Sequence, residues 1–449
     1  MRISRRSFLR GSAAALGTLA VSCGGLANRN AVTRRAIGYG SLKPVADLRD
    51  GRFRLALPDG FSYRTVSVSG ERMSDDNLTP LAPDGMAAFA LPNGNIRIIR
   101  NHEDRNQPGA GSCGGSIARR YDPKAGGGAT SLEVNPVSRE LVRDFLSLNG
   151  TTVNCSGGPT PWGSWLSCEE TLVGPPLWDK EHGYVFEVPV LASTTVQAVP
   201  LKALGRFLHE AVAIDPATGT AYETEDNGPS SGFYRFLPQI AGDLRTGRLQ
   251  MLKVRGHAKY DTASGQKVGM PLAADWVDIA LPDPASRGKT VFEQGYEQGA
   301  ARFSRLEGAW FGEGSVFFNS TNGGDAHLGQ VWSFRPEDGS GGQLTLLFES
   351  GDASVLDSPD HICVTPRGGI VLCEDGAGDQ YLRGLTQQGE IFDFALNLSN
   401  SSEWAGATFS PDGQTLFVNR LGVATGPNPP PDDPGMTFAI WGPWGSGLL

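Results

Sequence analysis

One interval recurs along this chain of 449 residues and limits what it can become. Segments such as "HEAVAIDPATGTAYETED" (209–226), "LEGAWFGEGSVFFNSTN" (306–322) and "PDHICVTPRGGIVLCED" (359–375) share one plan. A polar, acidic or sulfur residue precedes an apolar strand, a Gly/Pro turn follows, and a second strand ends in acids or an amide. Cys155 to Glu170, Glu210 to Glu225, Glu307 to Asn322 and Asp360 to Asp375 all span 15 residues, and Glu403 to Asn419 spans 16. An earlier copy, "GMAAFALPNGNIRIIRNHE", ends at Glu103. Third strands follow most copies, as in "GYVFEV", "GFYRFLP", "GQVWSFRP" and "GEIFDFAL".

An interval near 15 accommodates two strands of about five to six residues and a turn. Both flanking residues then sit on one rim of a small antiparallel sheet. Six such sheets predict an all-β fold, a six-bladed β-propeller with a central metal-binding funnel. A β-sandwich array or two β domains is the alternative. Glycine (60) and proline (30) are abundant enough for many turns. "FRLALPDGFSYRTVSV" near the start is expected to complete the last blade, and residues from about 240 to 300 to form an insertion. The division is then a leader and linker over 1–30 and a single propeller domain over 31–449.

The formal charge is −9, and the first thirty residues hold five arginines and no acid, so the remainder is more acidic still. That excludes a nucleic-acid partner. "MRISRRSFLRGSAAALGTLAVSCGG" joins Arg5 and Arg6 to a short apolar run and small residues. It resembles a twin-arginine export signal. The export machinery is thus an expected partner, and the periplasm or the extracellular space the expected location. Cys23 is a candidate for lipid anchoring. A monomer is expected. Five cysteines remain beyond the leader (113, 155, 168, 363, 373), and Cys363 with Cys373 is the candidate disulfide.

The rim positions gather Glu103, Cys155, Glu170, Glu210, Glu225, Asp226, Glu307, Asp360, Glu374 and Asp375. So many carboxylates raise one another's pKa unless cations intervene. Oxygen donors suit calcium, and a thiolate among them asks for an ion that also accepts sulfur, as ferric iron does. No HExxH motif is present, and His209 and His361 are expected to hydrogen-bond rather than ligate. Arg305 precedes Glu307 by two and so shares its face. It is either an ion-pair partner of Glu307 or a donor to an oxyanion. "GAGSCG" (109–114) has no helix pattern after it and reads as a loop.

"NCSGGPTPWGSWLSCEE", "GRFLHEAVAIDP", "YETEDN", "RLEGAWF", "GGIVLCEDG" and "SPDGQTLFVN" resemble the PhoX-type alkaline phosphatases from about residue 50 to 445. The resemblance implies an exported hydrolase of phosphate monoesters, using a metal-held oxo or hydroxide nucleophile at an Fe3+ and Ca2+ cluster. It implies that Cys155 bridges the irons and that Glu170, Glu210 and Glu307 are further ligands. Glu225, Asp226, Glu374, Asp375 and Glu103 would surround calcium, and Arg305 would bind the phosphate. "SPDH" departs from the pattern, with His361 in place of an amide. The rival readings are a calcium-dependent lactonase or phosphotriesterase propeller and a non-catalytic calcium-stabilised binding propeller.

Overall fold

The computed structural model describes residues 34–36, 38–337 and 341–449. The twin-arginine segment and Cys23 lie outside the described residues. The described residues form one compact unit. Among the described residues, no helix is long and apolar enough to cross a membrane.

The repeat becomes a series of antiparallel units that follow one another in sequence. The inner strands are Pro83–Ala90, Asn154–Pro159, His209–Ile214, Leu306–Gly312, Pro359–Val364 and Trp404–Phe409. Each pairs with the strand that follows it. Each inner strand also touches the inner strand of the next unit, and the last touches the first, so they close a ring. Apolar side chains from adjacent units fill the layers between sheets. This is a β-propeller.

Ring closure comes from both ends of the chain. Ser62–Val68 pairs with Met436–Trp441 as the outer strand of the last unit. Only this half of "FRLALPDGFSYRTVSV" joins that sheet. Phe53–Leu57 instead pairs with Glu390–Asn397, the outer strand of the unit before it. The stretch 240–300 also divides. Asp243–Val254 is the outer strand of its own unit, and Pro271–Asp278 bridges it to Gly342–Glu349, joining two units into one sheet. The helix Val291–Glu297 follows, with Thr290 and Glu293 forming a capping box.

Every inner strand carries a β-bulge near its start, where two residues oppose one on the partner. The first residues of the bulges are Asp84, Cys155, Glu210, Glu307, Asp360 and Gly406. Side chains of the second strands hold these bulges from the neighbouring unit. Thr224 Oγ1 donates to the Glu307 carbonyl (2.7 Å), Asn319 Nδ2 to that of Asp360 (3.0 Å), and Asn419 Nδ2 to that of Asp84 (2.5 Å). Asn101 Nδ2 donates to Ser156 O at 2.6 Å and Cys155 O at 3.3 Å, and Trp165 Nε1 holds Asn101 by its amide oxygen at 2.9 Å. The glycines of the inner strand Asn154–Pro159 have their reason in the same place. A Cβ on Gly158 would stand 1.6 Å from the Val212 carbonyl oxygen of the next unit.

The candidate disulfide is not formed: all five described cysteines are free and buried. Register explains it. Cys363 faces Val371, which leaves Cys373 as its diagonal neighbour, about 7–8 Å away and beyond bridging distance. Burial pushes the Cys363 thiol up to about 12 and Cys373 higher than its ordinary value. Neither should react with a thiol reagent in the folded protein, and both should react after denaturation. Fast labelling of Cys363 under native conditions would contradict this packing. Asn319→Ala should lower stability by about 1–3 kcal/mol with unchanged far-UV circular dichroism. An unchanged urea midpoint would show that the clasp between units contributes nothing.

Candidate metal centre

The bulges aim their first residues at the axis, and the ends of the second strands add more donors there. Among the described residues, four groups have donor atoms within 4.8 Å of one another: Asp84, Glu103 and Cys155; Cys155, Glu170 and Glu210; Glu210, Asp360 and His361; Asp360, Asp375 and Glu403. Cys155, Glu210 and Asp360 each belong to two groups, so the four form one continuous chain of donors. Cys155 Sγ lies 3.1 Å from Glu210 Oε1.

Two arginines pin the rim. Arg305 donates Nε to Asp226 Oδ1 (3.0 Å) and Nη2 to Asp226 Oδ2 (2.8 Å) and to Glu307 Oε1 (2.7 Å). Its backbone is left-handed, with φ 47°. Arg105 reaches Glu103 Oε1 and Glu170 Oε2, both at 2.6 Å. Burial, and then the nearby Asp226 and Asp360 carboxylates, push Glu307 well above the usual carboxylate range.

The eight acids and one thiol expected to ligate separate into three sets. Glu103, Cys155, Glu170, Glu210 and Asp375 converge in the donor groups. Asp226 and Glu307 hold Arg305. Glu225 and Glu374 brace their own sheets. Glu225 Oε2 accepts from Gly232 N–H and the Tyr234 hydroxyl, and Glu374 accepts from Asp357 N–H, Tyr381 N–H and Arg383. Burial pushes both up to about 7. Glu169 is a third brace, taking bonds from Thr152, Gly183 and Tyr184 N–H and from His182. The residue after the brace is the one near the axis, as Glu170, Asp226 and Asp375 show.

Asp84, Arg105 and Glu403 complete the cluster without having been singled out as site residues. The signal for Asp84 lies in "PDGMAAF", where an acid before a small residue opens an inner strand just as in "LEGAWF". Arg105 gives no local signal, because its partners come from two different sheets. His209, as expected, hydrogen-bonds, through Nε2 to the Gly205 carbonyl (3.1 Å).

The donor set fits bound cations. It combines one sulfur, one imidazole and many buried carboxylate oxygens, a mixture suited to hard ions together with one that accepts sulfur.

A sequence profile described as "Alkaline phosphatase PhoX" matches residues 37–421. The chain belongs to this family. It is a phosphatase enzyme on that ground. Among solved structures it is similar to Pseudomonas fluorescens PhoX in complex with vanadate, a transition-state analogue, with a TM-score of 0.67 and 18% identity over 91% of this chain and 98% of that one. It also shows a weaker likeness to the gluconolactonase XC5397 of Xanthomonas campestris, with a TM-score of 0.45 and 11% identity over 90% and 98% of the two chains. A search of curated proteins gave no match.

Adjacent acids should behave oppositely. Glu169→Gln takes from buried His182 the nearer of its two carboxylates, leaving Asp122 at 3.6 Å, and should cost roughly 3 kcal/mol of stability. Glu170→Gln should change stability of the cation-free protein by less than about 1 kcal/mol and weaken cation binding instead. Equal melting temperatures for the two variants would contradict this division.

Proposed function

We propose that this PhoX-family chain hydrolyses phosphate monoesters at an axial cluster of Fe3+ and Ca2+ ions. The observation that carries the reading is the continuous chain of donors through Cys155, Glu210 and Asp360, with the arginine fork of Arg305 at its rim. Cys155, with Glu170 and Glu210 beside it, would hold the ion that accepts sulfur. Glu103, Asp84, Asp375 and Glu403 offer oxygen donors suited to calcium. The bound ions would offset phosphate charge and lower the pKa of a bound water, so no serine nucleophile is required.

The chain's own residues position the ester. Asp226 grips two nitrogens of Arg305 and fixes the plane of its guanidinium. With Nε and Nη2 donating to the two acids, the guanidinium so held would set its positive charge beside the equatorial phosphate oxygens, where charge accumulates during transfer. The Glu307 and Asp226 carboxylates keep this cation in place between turnovers. Six blades around one axis, export by the twin-arginine route, and action in the periplasm or outside the cell as a monomer, with Cys23 as the lipid-attachment candidate, complete the proposal.

The test is turnover of p-nitrophenyl phosphate with metal analysis of the same preparation. Iron and calcium should be present, and chelation should abolish activity. Arg305→Ala should lower kcat/KM by about 10²-fold, or ~3 kcal/mol. Full activity in that variant, or turnover by metal-free protein, would refute the reading.

A further inference from the structure

The buried histidines of this fold are nearly all committed to hydrogen bonds. His102 uses both nitrogens, with Leu81 O and Thr130 Oγ1 at 2.8 Å each. His182 bonds Glu169 at 2.7 Å, and His209 bonds Gly205 O. His361 differs. Its residue is 5% exposed, and neither ring nitrogen makes a hydrogen bond.

Its position is also unusual. The second residue of each bulge is small elsewhere: Gly85, Ser156, Ala211, Gly308 and Ala407. Only the unit beginning at Pro359 has a large side chain there. Nδ1 of His361 stands 3.6 Å from Asp360 Oδ1 and 3.7 Å from Asp84 Oδ1, too far for hydrogen bonds. Two ligands about 2.1 Å from one ion at tetrahedral angles stand about 3.4 Å apart, close to these separations. His361 also shares a donor group with Glu210 and Asp360.

We propose that His361, with Glu210 and Asp360, forms a mixed nitrogen–oxygen position that selects a divalent transition-metal ion over calcium. An imidazole nitrogen adds strength for transition ions, whereas calcium takes oxygen ligands almost exclusively. This rests on the reading of the axial cluster as a cation centre and assigns one of its positions a different ion class.

Purified full-length protein and its His361→Asn and His361→Ala variants are dialysed against chelator and equilibrated with equal Zn2+ and Ca2+. Bound metals are then counted by mass spectrometry. The Mn2+-loaded proteins are examined by electron spin-echo modulation for directly bonded imidazole 14N. The wild type should show the nitrogen signal, and both variants should lose it. Their ratio of bound zinc to calcium should fall about tenfold or more. Circular dichroism melts confirm that the variants are folded, and His361→Asn keeps a polar side chain of similar reach. Equal zinc-to-calcium ratios and no 14N modulation in wild type, with cations still bound, would overturn the assignment of His361 alone. Absence of any bound cation in wild type would overturn the cation centre, and this assignment with it.

Discussion

The centre depends on hydrogen bonds made between sheets. Each axial side chain hangs from a bulge, and a bulge is a weak place in a strand because its extra residue leaves the ladder. Thr224, Asn319 and Asn419 satisfy the bulge carbonyls of Glu307, Asp360 and Asp84 from the neighbouring unit. The same contact fixes where the next acid points. Ring closure and ligand geometry are therefore one constraint. Glycines such as Gly158 let the inner strands come close enough for it.

That constraint creates an electrostatic problem. Buried carboxylates and a thiol crowd one place, and burial alone favours their neutral forms. The chain answers in part with its own cations. Arg305 lies between Asp226 and Glu307, and Arg105 lies between Glu103 and Glu170. The remaining donors, arranged in overlapping groups, are those that polyvalent ions would share. A guanidinium at the rim of such a cluster is well suited to an anionic ester, so binding of substrate and of metal use one field.

Much of this was legible in the sequence. The strand–turn–strand interval located the sheets, and Cys155, Glu170 and Glu210 stood out at the ends of the strands. What the interval could not show was the bulge. An extra residue in each inner strand changes which side chain faces the axis, since side chains alternate with period two. The interval of 15 also misses by one after Glu210, where it is Asp226 that lies near the centre and Glu225 that braces Tyr234 and Gly232, because the turn 215–220 is one residue longer than the turns 160–164 and 365–369. Glu374, expected beside calcium, braces its own sheet, while Asp375, at the 15-residue interval from Asp360, is the acid that converges. Arg105 could not be found at all, because only the closed ring brings Glu103 and Glu170 to it. The outer strand Asp243–Val254 was hidden by its Arg- and Gly-containing start, which reads as loop.

The central claim is that the bulged inner strands gather Cys155 and the axial carboxylates around polyvalent ions. Anomalous X-ray diffraction from crystals of the metal-loaded protein, with data at the iron edge and at long wavelength for calcium, tests it most directly. The predicted result is an iron peak bonded to Cys155 Sγ and flanked by Glu170 and Glu210, with calcium peaks along the line of donors towards Asp375 and Glu403. Anomalous peaks confined to the outer surface, or none near Cys155 in catalytically active crystals, would contradict it.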